Sequence, residues 1–392
     1  MLELWVRRRC KALFGACAFT TFILLCVKYI YLNEVEMSAG RARLLDLPLA
    51  PVARSSALDG NMISYDQMQD PNGSSAQSDW PQNDVVHFDM TRRSDVMVFL
   101  HIQKTGGTVF ERHLIKDLDI EHPCVPEPGR KRYKCHRLSS KKEGSWIFSR
   151  YSSGWHCGLH ADWTELTNCV DGVIDRVEGT FKRRYFYVTL LREPRYRFLS
   201  EFRHVQRGAT WKTSRHICNG RSPTSDELPP CYSTPDWMDV TFGEFVTCRS
   251  NLAVNRMTRM LADLTLVGCY NESAMPRAQR DALMLASAKS NLRKLAFFAL
   301  CEYQKISQYL FERTFGLRFK QAFVQYNYTR SSVAVSEVSS ADLEKIDNLN
   351  HLDIELYAFA KALLMERFER AKRNDPDFEE NFNRVMNEVG HD

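Results

Sequence analysis

Residues 101–108 read HIQKTGGT and follow directly on the apolar run Val96-Met97-Val98-Phe99-Leu100. An uninterrupted apolar run of this length is the pattern of a strand buried on both faces. It breaks into Lys104, Thr105, Gly106, Gly107 and Thr108, then enters an amphipathic stretch marked by Phe110, Leu114 and Leu118. Strand, glycine loop and helix start, in that order, are built to hold an anion. The glycines let backbone N–H groups close around an oxyanion, and the helix start adds the positive end of its dipole. Lys104 supplies a mobile point charge for a bridging or terminal oxygen. The order is not that of an ATP or GTP loop, where the Lys follows the second Gly and a Ser or Thr behind it holds magnesium. Here the Lys precedes both glycines.

A second strand-to-helix junction carries matching chemistry. The run from Tyr185 to Leu191 leads into Arg192-Glu193-Pro194-Arg195-Tyr196-Arg197-Phe198-Leu199-Ser200. Pro194 suits a first helical position because its missing N–H costs nothing there. Eight residues separate Arg192 from Ser200, a little over two helical turns, so both can face one side and jointly hold a phosphate. A third apolar run spans 295–300, and amphipathic stretches run from Leu283 to Leu295 and from Ile306 to Phe315. The alternation predicts an α/β fold with a central, mostly parallel sheet flanked by helices. Leu343, Ile346, Leu349, Ile354, Tyr357 and Leu364 predict one closing helix between Ala341 and Arg373.

The 392 residues carry a formal charge of +5. Arg192 to Arg221 alone holds eight Arg or Lys against two Glu, with basic blocks at 130–132 and 182–184 besides. Such clustering suits a polyanionic partner. Nucleic acid would fit on charge, but the N-terminus argues against it. Arg7, Arg8, Arg9 and Lys11 precede an apolar window at 12–32 that is long enough to span a bilayer. The basic cluster predicts a cytosolic tail over 1–11, a signal anchor over 12–32 and a lumenal remainder. Residues 33–93 are polar and read as a flexible stem, 94–374 as the folded body, and 375–392 as a polar tail. Sequons stand at Asn72, Asn271 and Asn327. Nine of the twelve cysteines lie beyond the anchor, and in an oxidising lumen most should form disulfides. Cys301 ends an apolar run and is expected to be the buried thiol left over. Cys157–Cys169 and Cys218–Cys231 are plausible neighbour pairs among many connectivities. A zinc site at Cys157 and His160 lacks a second ligand pair, so no metal is expected.

The KTGGT order after a strand resembles the 5′-phosphosulfate loop of sulfotransferases, and Arg-Glu-Pro-x-x-Arg-x-x-Ser resembles their 3′-phosphate site. Phe148-Ser149-Arg150, Gly154-Trp155, the string CGLHADWTELTNC at 157–169 and HVQRGATWKT at 204–213 closely resemble the heparan-sulfate 6-O-sulfotransferase family, over about residues 94 to 370. The resemblance implies a P-loop-like sulfotransferase fold. It also implies sulfonate transfer from 3′-phosphoadenosine 5′-phosphosulfate, without a metal, to the 6-hydroxyl of glucosamine in heparan sulfate. The expected address is a single-pass Golgi membrane protein with its catalytic domain in the lumen. His160 falls at the family's catalytic base, a role that an imidazole titrating near neutrality suits. Glu111, Glu165 and Glu201 are the other candidate bases. Lys104 would stabilise charge on the leaving oxygen. The donor would be held by His101, Ile102, Gln103, Lys104, Thr105, Gly106, Gly107, Thr108 and Val109, by Arg192 and Ser200, and by Val324, Gln325, Tyr326, Arg330 and Ser331. Lys131, Arg132, Arg150 and His204 would meet acidic groups of the acceptor, and Trp155 and Trp211 its sugar faces. Two other readings stay open: a catalytically inactive heparan-binding membrane protein, and a sulfotransferase acting at another glycan position.

Overall fold

β1 (Asp95–Leu100) is buried along its whole length, as its apolar run requires. The computed structural model describes residues 87–137, 144–323 and 338–387, all within one unit over Gln77–Asp392. After β1 come α1 (Gly107–Lys116), a small hairpin of β2 (Val125–Pro126) and β3 (Tyr133–Lys134), and the short β4 (Ile147–Phe148). α2 (Trp163–Glu178), β5 (Arg184–Leu191) and α3 (Pro194–Gln206) follow. After a long irregular stretch come α4 (Phe242–Thr247), α5 (Arg256–Leu261), α6 (Arg277–Lys294), β6 (Phe297–Leu300) and α7 (Gln304–Phe315). α8 (Ser340–Leu349), α9 (His351–Arg373) and α10 (Phe378–Asn387) close the chain.

Four strands form a sheet in the order β4-β1-β5-β6, every pair parallel. This is the α/β architecture that the sequence predicts. The chain steps from β1 to β4 on one side and returns to β5 on the other, so the strand order reverses between β1 and β5. Ligands bind at such a switch point, outside the carboxyl ends of the strands. Leu100 pairs with Thr189, and the Thr189 hydroxyl donates to the Leu100 carbonyl at 2.7 Å. The loops that leave β1 and β5 therefore open side by side at one sheet edge.

Four expectations change. The folded body begins before residue 94, because Phe88 packs edge-on against Phe186 at 5.1 Å and Phe315 at 5.8 Å. The single helix expected over 341–373 is broken at Asn350, whose buried side chain donates to the Ile346 carbonyl at 2.8 Å and accepts from the Asn255 N–H at 3.2 Å. The stretch read as a polar tail from 375 carries α10, whose Phe378 and Phe382 pack on Tyr309 at 5.4 and 5.6 Å. Cys218 pairs with Cys269 rather than Cys231, and Cys231 pairs with Cys248. Cys157–Cys169 forms as expected, alongside Cys124–Cys135. Cys301 is buried and belongs to none of the four disulfides. Among the described residues no helix is long and apolar enough to cross a membrane. The expected anchor at 12–32 lies outside the described residues, as do the sequons Asn72 and Asn327.

Candidate active site

The loop after β1 is shaped by two left-handed residues, Lys104 at φ 67° and Gly106 at φ 86°. Gly106 caps α1 without a side-chain hydrogen bond, and its carbonyl accepts from the Val109 and Phe110 N–H groups at 3.0 and 3.3 Å; the Gly107 and Thr108 N–H groups ahead of them are those that a helix start can offer to an anion. Gly107 serves packing instead. A Cβ there would stand 3.0 Å from the His101 ring and 3.2 Å from Phe99. The side chains of Ile102 and Thr105 are buried, and the Thr105 hydroxyl donates to the Ile102 carbonyl at 3.0 Å. These two can offer a ligand only their backbone. Val109 is exposed on the first turn of α1. The second anion motif meets the first directly: Arg192, at the exit of β5, donates from Nη1 to the Lys104 carbonyl at 3.3 Å. Glu193 caps α3 by accepting from the Tyr196 N–H at 2.9 Å, and Ser200 lies half-buried two turns along. Burial lowers the Lys104 ammonium below its ordinary range; Glu201 opposes the shift, while Arg207 and Arg192 add to it.

His160 comes to this loop from the segment before α2. Its Nδ1 lies 3.0 Å from the His101 carbonyl oxygen. A carbonyl can only accept, so Nδ1 carries the proton and Nε2 keeps its lone pair. Burial holds the imidazole well below the usual histidine range, with the neighbouring His101, Arg256 and Arg150 adding to the shift. The ring is thus neutral near pH 7, with the Nε2 lone pair free to accept a proton, the state a general base needs. His101 is fixed in turn, its Nδ1 lying 3.2 Å from Oε2 of the fully buried Glu111.

The three alternative bases are all engaged elsewhere. Glu111 also accepts from the Tyr151 N–H at 3.3 Å and pairs with Arg150 at 3.6 Å. Glu165 completes the capping box of α2 with Asp162 and accepts from the Ile217 N–H at 2.9 Å. Burial and the neighbouring Asp162 push its carboxyl up to about 7. Glu201 is buried between Arg197 and Arg256, and these guanidiniums outweigh its burial and hold it ionised.

Around His160 stand flat rings and cations. Trp155 lies 4.8 Å from its ring and Trp211 6.4 Å. His204 lies 5.8 Å from Trp211, and Arg150 stands over Trp155 at 5.9 Å. Arg132 abuts Gly154, beside Trp155, with Nη1 3.3 Å from where a Cβ would be. Lys131 is exposed on the turn of the β2–β3 hairpin. These contacts join His160, Trp155, Arg150, Trp211 and His204 beside His101, Arg192 meets Lys104 three residues further along the same loop, and Arg132 lies against Gly154. Val324, Gln325, Tyr326, Arg330 and Ser331 lie outside the described residues.

The sulfotransferase family model matches residues 86–360. Heparan-sulfate 6-O-sulfotransferase 1 of Homo sapiens is 55% identical over 287 residues, 72% of this chain and 69% of that protein. Heparan-sulfate 6-O-sulfotransferase 1-B of Danio rerio is 55% identical over 70% of this chain and 67% of its own. Heparan-sulfate 6-O-sulfotransferase 2 of Gallus gallus is 52% identical over 72% of this chain and 70% of its own. The chain belongs to the heparan-sulfate 6-O-sulfotransferase family.

For a sulfotransferase the residues present fit a donor with phosphate at both ends. The loop around Gly106 offers backbone N–H groups and the half-buried Lys104, and Arg192 brings a second fixed cation against the same loop. Sequence reasoning missed Arg256. It stands over Trp211 at 5.4 Å and donates from Nε to Glu201 at 2.9 Å. No motif surrounds it, and only the fold brings it across 55 residues to Glu201.

Proposed function

We propose that this protein transfers a sulfonate group from 3′-phosphoadenosine 5′-phosphosulfate to the 6-hydroxyl of glucosamine residues in heparan sulfate. The observation that carries the proposal is the contact between His160 Nδ1 and the His101 carbonyl. It brings a neutral imidazole with a free Nε2 lone pair to the loop that carries Lys104. The donor, when bound, supplies an activated sulfonyl group on a phosphate oxygen. The chain's own residues do the rest. His160 takes the proton of the acceptor's primary hydroxyl on Nε2 as the new S–O bond forms. Lys104 and the N–H groups at the start of α1 neutralise the negative charge that develops on the leaving phosphate oxygen. Arg192 and Ser200 hold the distal phosphate. Trp155 and Trp211 flank His160 and offer flat faces to a sugar ring, while Arg150, Arg132, Lys131 and His204 suit its acidic substituents. Holding both reactants in line removes the need for a covalent enzyme intermediate.

The same reading places the protein in the Golgi membrane, anchored by residues 12–32 with its body in the lumen. The basic cluster at 7–11 and the four disulfides support a secretory address. Asn271 is the sequon within the described residues. Its Oδ1 accepts from the Ser273 N–H at 3.0 Å and the Ser273 hydroxyl at 2.6 Å, and we count it with Asn72 and Asn327 as a proposed glycan site. The function is tested with labelled donor and 6-O-desulfated heparin, mapping the label in product disaccharides. Label at glucosamine C6 is expected; label on the uronic acid, or acceptor binding without transfer, overturns the reading.

A further inference from the structure

Glu111 lies in the second turn of α1 and is fully buried. A carboxylate taken out of water is costly unless charged groups or N–H donors surround it. Here three do. Oε2 faces His101 Nδ1 at 3.2 Å and Arg150 Nε at 3.6 Å, and Oε1 accepts from the Tyr151 N–H at 3.3 Å. One side chain of α1 thus ties the loop after β1 to the turn after β4. No step of the transfer described above uses it.

Both tied segments touch the base. On one side His101 offers its carbonyl to His160 Nδ1 at 3.0 Å and sets its ring edge-on to the imidazole at 4.8 Å. The His101 ring is itself backed closely, by Phe99 edge-on at 5.4 Å and by Gly107, where even a Cβ would stand 3.0 Å away. On the other side Arg150 stands over Trp155 at 5.9 Å, and Trp155 lies 4.8 Å from His160. Two chains of contact, through His101 and through Arg150 and Trp155, start on the Glu111 carboxylate and end on the His160 ring. His160 needs such support, because its left-handed backbone at φ 52° is a conformation that persists only where the surroundings over-determine it.

We propose that Glu111 is a positioning residue for the general base: it holds His101 and Arg150 so that the His160 Nε2 lone pair meets the acceptor hydroxyl. Its contribution to kcat therefore passes through His160. The inference rests on the reading of His160 as the base, and it adds to that reading the group that aims it.

The test uses the full chain and two variants. Glu111→Gln removes the charge and keeps the size, and Glu111→Asp keeps the charge but withdraws it by one methylene. Each is made in wild type and in His160→Ala, with kcat, acceptor KM, donor affinity by calorimetry and thermal unfolding measured on every preparation. In wild type, Glu111→Gln should lower kcat by about tenfold to a hundredfold, the scale of a misplaced reacting group, while donor affinity and acceptor KM stay within about twofold. Glu111→Asp should fall between the two. In His160→Ala either change should cost less than about twofold, because the group it positions is gone.

An equal cost in both backgrounds overturns the proposal, as does wild-type kcat in Glu111→Gln, a loss carried by KM or donor affinity with kcat intact, or failure of both variants to fold. Each of these makes Glu111 a packing residue only. Where one variant alone folds, its two backgrounds decide. His160→Ala by itself is read first, since transfer there at the wild-type rate fails the parent reading instead.

Discussion

His160 adopts a left-handed backbone with φ 52°, a conformation that costs energy for a residue with a side chain. The strain aims the ring: Nδ1 is spent on the His101 carbonyl, and Nε2 is left for chemistry. Because burial keeps this imidazole unprotonated well below pH 6.5, the acid limb of kcat/KM should have its midpoint below 6.5. A pH–rate profile with an acid midpoint at or above 6.5 would contradict the assignment. His216 follows the same physics in stability. Burial pulls it down to about 3, while the unfolded chain binds that proton near pH 6.5. Its stabilising share is therefore complete above 6.5 and lost progressively as pH falls towards 3. Glu165, raised to about 7, works in the opposite direction. The His216 share is therefore read as a signed difference: on going from pH 7.5 to 5, His216→Gln should lose less thermal stability, or gain more, than wild type. Equal slopes would sink it. Lys104, Arg192 and His160 were legible because each sits in a chain-local string of residue types. Arg256 was not, since its partners Glu201 and Trp211 are met only across the fold.

At the scale of elements, the strands were legible because β1, β5 and β6 are short apolar runs with no competing period. The break between α8 and α9 was hidden, and its cause is reciprocal capping between distant helices. Asp353, in the first turn of α9, accepts from the Met257 and Thr258 N–H groups of α5 at 3.1 and 2.8 Å. Asn255, before α5, accepts from the Leu352 and Asp353 N–H groups at 3.1 and 3.2 Å. Each helix start is satisfied by the other, so an apolar pattern that reads straight through Asn350 still breaks there. The disulfides were hidden for a related reason, since spacing favours neighbours and Cys218 finds Cys269 across 51 residues. Closing a loop of that length stabilises by about 4 kcal/mol in the chain-entropy model. The double variant Cys218→Ser/Cys269→Ser should lose stability on that scale in denaturant unfolding. A loss well under 1 kcal/mol would mean that the irregular stretch after α3 is held by other contacts.

Across the whole molecule, two anion-binding junctions and one base converge because the strand order of a parallel sheet reverses between β1 and β5. The loop after β1 carries Lys104, the exit of β5 carries Arg192, and the segment leading into α2 returns His160 to the same edge. Long-range pairing sets this convergence, with Asp95 at the start of β1 buried and bound by Arg184 Nε at 2.9 Å. The motifs announced the parts, and the sheet order explains why they meet. The most direct test of the central claim is sulfonate transfer by His160→Ala, with donor affinity measured on the same preparation. The account predicts that transfer falls by about two to four orders of magnitude, the range of a general base, while donor affinity holds. Transfer at the wild-type rate, or loss of donor binding together with transfer, would contradict it.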